Sequence, residues 1–105
     1  MINVGLYYRV KSGHQNEFEG MFNGVIEHLR SNVEGFLDAR LYKNVASEQD
    51  YLIYSEWKDL SAFRKFMSSD AFRSTTQKGA SILEGRPSHK IFQEISEPHT
   101  PPPGT

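Results

Sequence analysis

The stretch "DYLIYSEWKDLSAFRKFMSSDAF", residues 50–72, sets the architecture. Its first part, residues 51–57, reads as a strand, and both of its faces carry apolar or aromatic side chains. Tyr51, Ile53 and Trp57 fall on odd positions; Leu52 and Tyr54 fall on even ones, with Glu56 after them. A strand in a sheet wetted on one side should alternate apolar with polar. This one does not, so each face needs a cover. The second part changes period. Asp59 is placed to cap a helix that carries Leu60, Phe63, Phe66 and Met67 on one side. Ser69 or Asp70 can cap a further helical segment with Phe72, Thr76, Gly79 and Leu83 roughly in line.

Toward the N-terminus, residues 2–10, "INVGLYYRV", predict a strand with Ile2, Val4, Leu6, Tyr8 and Val10 on one face. Ser12 and Gly13 supply turn chemistry. From about residue 14, Phe18, Met21, Phe22, Val25, Ile26 and Leu29 recur at helical steps. Glu17 and Glu19 early, with His28 and Arg30 late, suit the helix dipole. Gly35 follows at a stop. Residues 36–45, "FLDARLYKNV", predict a second strand, followed by a polar loop "ASEQD". "EGRP" stops the later helical region, and residues 88–95, "SHKIFQEI", predict a last strand.

The resulting order is β-α-β-β-α-β, that of an α+β ferredoxin-like fold: an antiparallel sheet with its helices on one face. If Ile53 and Trp57 look toward the helices, Leu52 and Tyr54 look away. In the second strand Phe36 and Tyr42 alternate with Leu37, Ala39 and Leu41. The bare face would then be an apolar patch, uncommon on a monomer. A second copy, sheet against sheet, covers it most simply, so a homodimer through the open sheet face is expected.

Composition narrows the classes. The chain has 105 residues, enough for one domain, placed at 1–95, before a Pro-rich and expectedly flexible tail at 96–105. The net charge is −1 and no basic run occurs, so neither nucleic acid nor an anionic membrane is an expected partner. No stretch approaches a membrane span or a signal peptide, and a cytoplasmic location is the default expectation. Cysteine is absent, which excludes disulfides, thiolate metal sites and a cysteine nucleophile. The four histidines show no ligand spacing, so no metal is expected.

The strand ending in Glu56-Trp57, the Ala62-Phe63 pair, the Ser69-Asp70-Ala71-Phe72 segment and Gly35-Phe36 at the start of strand two resemble the antibiotic biosynthesis monooxygenase (ABM) family of dimeric α+β barrels. The resemblance spans roughly residues 1–95. It implies one of several activities. The monooxygenase branch uses neither metal nor flavin: a phenol or hydroquinone loses a proton and the electron-rich anion reacts with dioxygen. Such a site needs a dry aromatic pocket, a donor for the phenolate oxygen and a proton carrier. Trp57, Tyr8 and His89 are the candidate catalytic residues, and Ser55, Thr76, Phe36 and Phe72 the candidate substrate-binding ones.

Each has a plainer reading. Trp57 can stack on a flat ligand and donate its indole N–H, or simply fill a core. Tyr8 can donate to a phenolate, or rest with its hydroxyl at a rim. Ser55 can leave room for a guest or accommodate packing. His89 can carry a proton near neutral pH or stand exposed. The haem-degrading branch, in turn, implies an asparagine on strand one, the strand-three tryptophan and a histidine on the later helix. Trp57 matches, but Tyr8 and Thr76 occupy the other two positions, and a threonine cannot supply the imidazole that holds haem iron. No cofactor is therefore expected, haem being left only another residue to bind through. A non-catalytic dimer that binds a small hydrophobic ligand, or that serves a stress-related role, is the reading from another class.

Overall fold

The computed structural model describes residues 1–95. The expected tail, 96–105, lies outside the described residues. The elements run β1 (Ile2–Arg9), α1 (Gln15–Asn32), β2 (Phe36–Asn44), β3 (Ser47–Trp57), α2 (Leu60–Met67), α3 (Asp70–Gly79), a 3-10 turn (Ala80–Ile82) and β4 (Ser88–Gln93). The strands lie in the order β2-β3-β1-β4, and every neighbouring pair is antiparallel. This is the expected α+β, ferredoxin-like arrangement.

Register decides what each face holds. Ile2, Val4, Leu6 and Tyr8 of β1 stand opposite Trp57, Ser55, Ile53 and Tyr51 of β3. That row lies under the helices, where Val4, Trp57 and Phe63 are almost fully buried. Burial of each such side chain stabilises the fold by about 1.5–3 kcal/mol. The caps read from the sequence are in place. Asp59 accepts from the Ala62 N–H at 2.8 Å, and Ser69 from the Phe72 N–H at 3.1 Å. The break between α2 and α3 therefore comes from a second cap inside the helical region.

Two expectations need correction. The polar residues after strand two are not a loop, because β3 begins at Ser47. Their polarity has a use in the sheet. Asp50 pairs with Arg9 at 2.9 Å, and the Gln49 side chain donates to the Val10 carbonyl at 3.0 Å. Strand two does not alternate evenly either. Phe36 is paired with Trp57 and Asp38 with Glu56, so Leu37 is an extra residue in a bulge. The bulge exchanges faces along the strand. Phe36 turns inward against Trp57, whereas Tyr42 lies on the outer face beside Leu52.

The outer face carries only part of the apolar row anticipated from the sequence: Leu52 and Tyr54 lie there with Tyr42, but β2 sets the charged Asp38 and Arg40 beside them, while Ala39 and Leu41 turn inward. Tyr7, Tyr42 and Phe92 are exposed there, and Asn3, Gly5, Tyr7, Leu52, Tyr54 and Phe92 line a shallow hollow. On the inner face, one end of the sheet is tied to α1. The Tyr51 hydroxyl donates to the Glu19 carboxylate, and the Lys43 ammonium lies 3.1 Å from the same oxygen. Among the described residues, no helix is long and apolar enough to cross a membrane.

Candidate active site

A cavity of about 450 Å³ lies between the sheet and all three helices. The helical periods noted above build its roof: Phe18, Met21, Phe22, Val25 and Leu29 from α1, Phe66 and Met67 from α2, Phe72, Thr75, Thr76 and Gly79 from α3. The floor is the inner row of the sheet, including Leu6, Tyr8, Ala39, Ile53, Ser55 and Trp57. The exposed lining residues are Thr76 on α3 and Arg86, Pro87, Ser88 and His89 before and within β4. The mouth therefore opens between α3 and β4. A volume of this order suits a ligand of a few fused rings.

Trp57 is held rigidly. Its ring is flanked by Phe36 at 5.3 Å, Phe63 at 5.5 Å and Phe66 at 5.3 Å. Its indole Nε1–H donates to Ser55 Oγ at 3.0 Å, and Ser55 donates to the Val4 carbonyl at 3.1 Å. The expected indole donor is thus used within the protein. Trp57 is almost fully buried and borders the cavity as part of its packed floor.

Tyr8 is different. Its ring rests 5.4 Å from Phe18, and its hydroxyl has no hydrogen-bond partner among the described residues. Burial alone pushes its pKa above the usual tyrosine value, so the hydroxyl stays protonated and remains a donor. His89 stands opposite Leu6 in the β1–β4 pairing, one inward position from Tyr8. Diagonal neighbours of this kind lie about 7–8 Å apart. The His89 ring meets Phe63 edge-on at 5.8 Å, which fixes it on the wall near the mouth.

Of the seven candidate residues, Tyr8, Ser55, Trp57, Phe72, Thr76 and His89 all line this one cavity. Phe36 does not. The bulge places it against the Trp57 ring, as a buttress rather than a wall. The Thr76 hydroxyl donates to the Phe72 carbonyl at 2.9 Å and has no further proton to give. Sequence reasoning passed over Arg86, which was read only as part of a helix stop. Its signal was the glycine before it and the proline after it, a pair that fixes the direction of the chain. Among the described residues, no group of three His, Asp or Glu side chains comes together.

The family model "Antibiotic biosynthesis monooxygenase" matches residues 1–78. The chain is 36% identical over 86 residues to a candidate heme-binding protein of Natronomonas pharaonis, covering 82% of this chain but 14% of that protein. This chain thus spans about a seventh of that archaeal relative. It is 27% identical over 97 residues to a candidate monooxygenase, YcnE, of Bacillus subtilis, covering 92% of this chain and 100% of the other. Among solved structures, a mutant of SnoaB, a cofactor-independent oxygenase from Streptomyces nogalater, superposes with a TM-score of 0.77 at 19% identity, over 90% of this chain and 92% of that one. With its cavity between helices and sheet and a family match over most of its length, this chain belongs to the antibiotic biosynthesis monooxygenase family.

Proposed function

We propose that this chain is a cofactor-independent monooxygenase of a small aromatic substrate, a phenol or hydroquinone. The observation that carries the reading is the Tyr8 hydroxyl: a protonated donor with no described protein partner, on the wall of a largely apolar cavity. A phenolate oxygen is the complement of that donor, and the dry aromatic surroundings strengthen the bond. His89, also on the wall, takes the substrate's phenolic proton. The anion then gives electrons to dioxygen. One oxygen atom becomes a ring carbonyl, the other leaves as water, and the four electrons come from the substrate. For 1-naphthol the products are 1,4-naphthoquinone and water, and no further reductant is required. Met21, Phe66 and Phe72 confine the flat substrate and keep water out.

The name of the archaeal relative raises haem. We propose that haem is not held in the family's manner, since the resemblance puts the imidazole's position at Thr76, and the Thr76 hydroxyl is bound to the Phe72 carbonyl. The name also describes a protein of which this chain matches 14%. We propose further that the active form is a homodimer joined through the outer sheet face. Exposed Tyr7, Tyr42 and Phe92 support that pairing.

The test is oxygen uptake with 1-naphthol in buffer freed of metals. The wild-type chain is expected to consume one dioxygen per quinone formed. Tyr8→Phe should cut turnover by about 10²-fold, the usual effect of losing one oxyanion donor, with folding unchanged because no described protein bond is lost. Uptake that is absent from the wild type over a panel of naphthols and hydroquinones, or unaffected by Tyr8→Phe, contradicts the reading.

A further inference from the structure

We propose that the guest of this cavity is an aromatic acid, and that Arg86 selects it by binding its carboxylate at the mouth. The inference rests on the cavity being the substrate site and adds the charge of the substrate. Among the described residues, the lining holds one full charge, Arg86, and no carboxylate. Arg86 makes no ion pair among the described residues. The nearest acid in sequence, Glu84, is turned elsewhere: its carboxylate accepts from Gln49 and lies 3.6 Å from Arg9. The cation is therefore not neutralised by its own loop.

That loop is built rather than slack. The Glu84 N–H donates to the Arg9 carbonyl at 2.7 Å, which pins the loop to the end of β1. Gly85 turns the chain with φ +77°. Pro87 then restricts Arg86 to extended backbone and leads into β4. Arg86 lines the same rim as His89, a second nitrogen donor, and Thr76, whose proton is already given to Phe72. A guest whose rings fill the apolar interior presents its outermost substituent to this rim. An anion there meets donors and a positive charge; a neutral group meets the same space without the charge. Arg also offers the planar fork that matches a carboxylate.

The test is a matched pair of probes, naphthalene-2-carboxylate and naphthalene-2-carboxamide, titrated into the full chain at pH 7 and followed by the fluorescence of Trp57, the single tryptophan. The shapes agree and the charges differ. The wild type should prefer the carboxylate by about three- to tenfold, a modest factor because the rim is exposed. The preference should shrink as salt rises. Arg86→Gln should erase it while leaving the affinity for the amide unchanged. Haemin and its dimethyl ester form a second arm, since a tetrapyrrole also ends in carboxylates. An Arg86-dependent preference in the naphthalene pair supports a small aromatic acid; one confined to the haemin pair overturns it in favour of the tetrapyrrole. Equal binding of acid and amide, or a preference that survives Arg86→Gln, overturns the selection by Arg86 alone. Failure of every probe to bind removes the cavity reading together with it.

Discussion

Trp57 donates its indole N–H to Ser55, two residues back on the same face of β3, at 3.0 Å. Ser55 relays the bond to the Val4 carbonyl on β1 at 3.1 Å. Ser55 is 2% exposed and Trp57 1%, so the chain of bonds sits in the dry floor of the cavity. Ser55→Ala leaves the indole N–H without its acceptor. The expected loss of stability is about 1–3 kcal/mol, the cost of one unsatisfied buried donor. Urea denaturation measures it. A loss below about 0.5 kcal/mol, the scale of an ordinary surface change, would mean that water reaches the indole and that the floor is wet.

This pair shows how far the sequence could be read. Strict alternation along 51–57 placed Trp57 and Ser55 on one face, and the cap candidates, Asp59 and then Ser69 or Asp70, placed the helices above them. Alternation says nothing about which polar atoms meet, so the indole's partner was not visible. The same rule failed at Phe36, because a bulge adds one residue and reverses the faces beyond it. It failed again at residues 47–50, where strand side chains are polar because they bond to Arg9 and Val10. Arg86 escaped notice because its significance depends on where a loop crosses the cavity mouth.

Gly35 is required twice over. Its φ is +84°, a region that side chains disfavour, and a Cβ there would run into the Cβ of Ala62 on α2. Gly35→Ala should cost about 2–4 kcal/mol from strain and overlap together. Adding Ala62→Gly relieves the overlap, although glycine weakens the helix. The double variant should therefore lose less stability than the two single losses added. Strictly additive losses in urea or thermal unfolding would show that the two residues do not meet.

The clamp between α1 and the sheet makes stability depend on acid. The Tyr51 hydroxyl first, and Lys43 second, hold the Glu19 carboxyl below the usual carboxylate range. A carboxylate favoured in the folded chain adds stability above its unfolded value, about 4.3, and that stability is lost as pH falls through the lower folded value. The gap in urea midpoint between wild type and Glu19→Gln should be full near pH 6 and close as pH approaches 3. A gap that stays constant across this span contradicts the clamp.

The outer sheet face supplies a test of assembly. Leu52 sits at its centre, opposite Tyr7 on β1 and Tyr42 on β2. A charge at that position cannot be buried without a partner. Sedimentation at micromolar concentration should give a dimer for the wild type and a folded monomer for Leu52→Lys. A wild-type chain that sediments as a monomer would overturn the pairing of sheets.

The proposed chemistry requires the space beneath the helices to hold the aromatic guest, and Gly79 gives the sharpest access to it. Gly79 is buried on the cavity wall with φ −81°, and a Cβ there meets only Met21 Cε, at an ordinary 3.6 Å. Gly79→Leu should fold with stability unchanged or raised by up to about 1 kcal/mol, and its side chain should fill the cavity. The decisive measurement is a titration of Trp57 fluorescence with 1-naphthol on both proteins. Saturable quenching at one equivalent per chain is expected in the wild type, weakened more than tenfold in Gly79→Leu. Equal quenching of the two, or none in the wild type, would place the guest elsewhere.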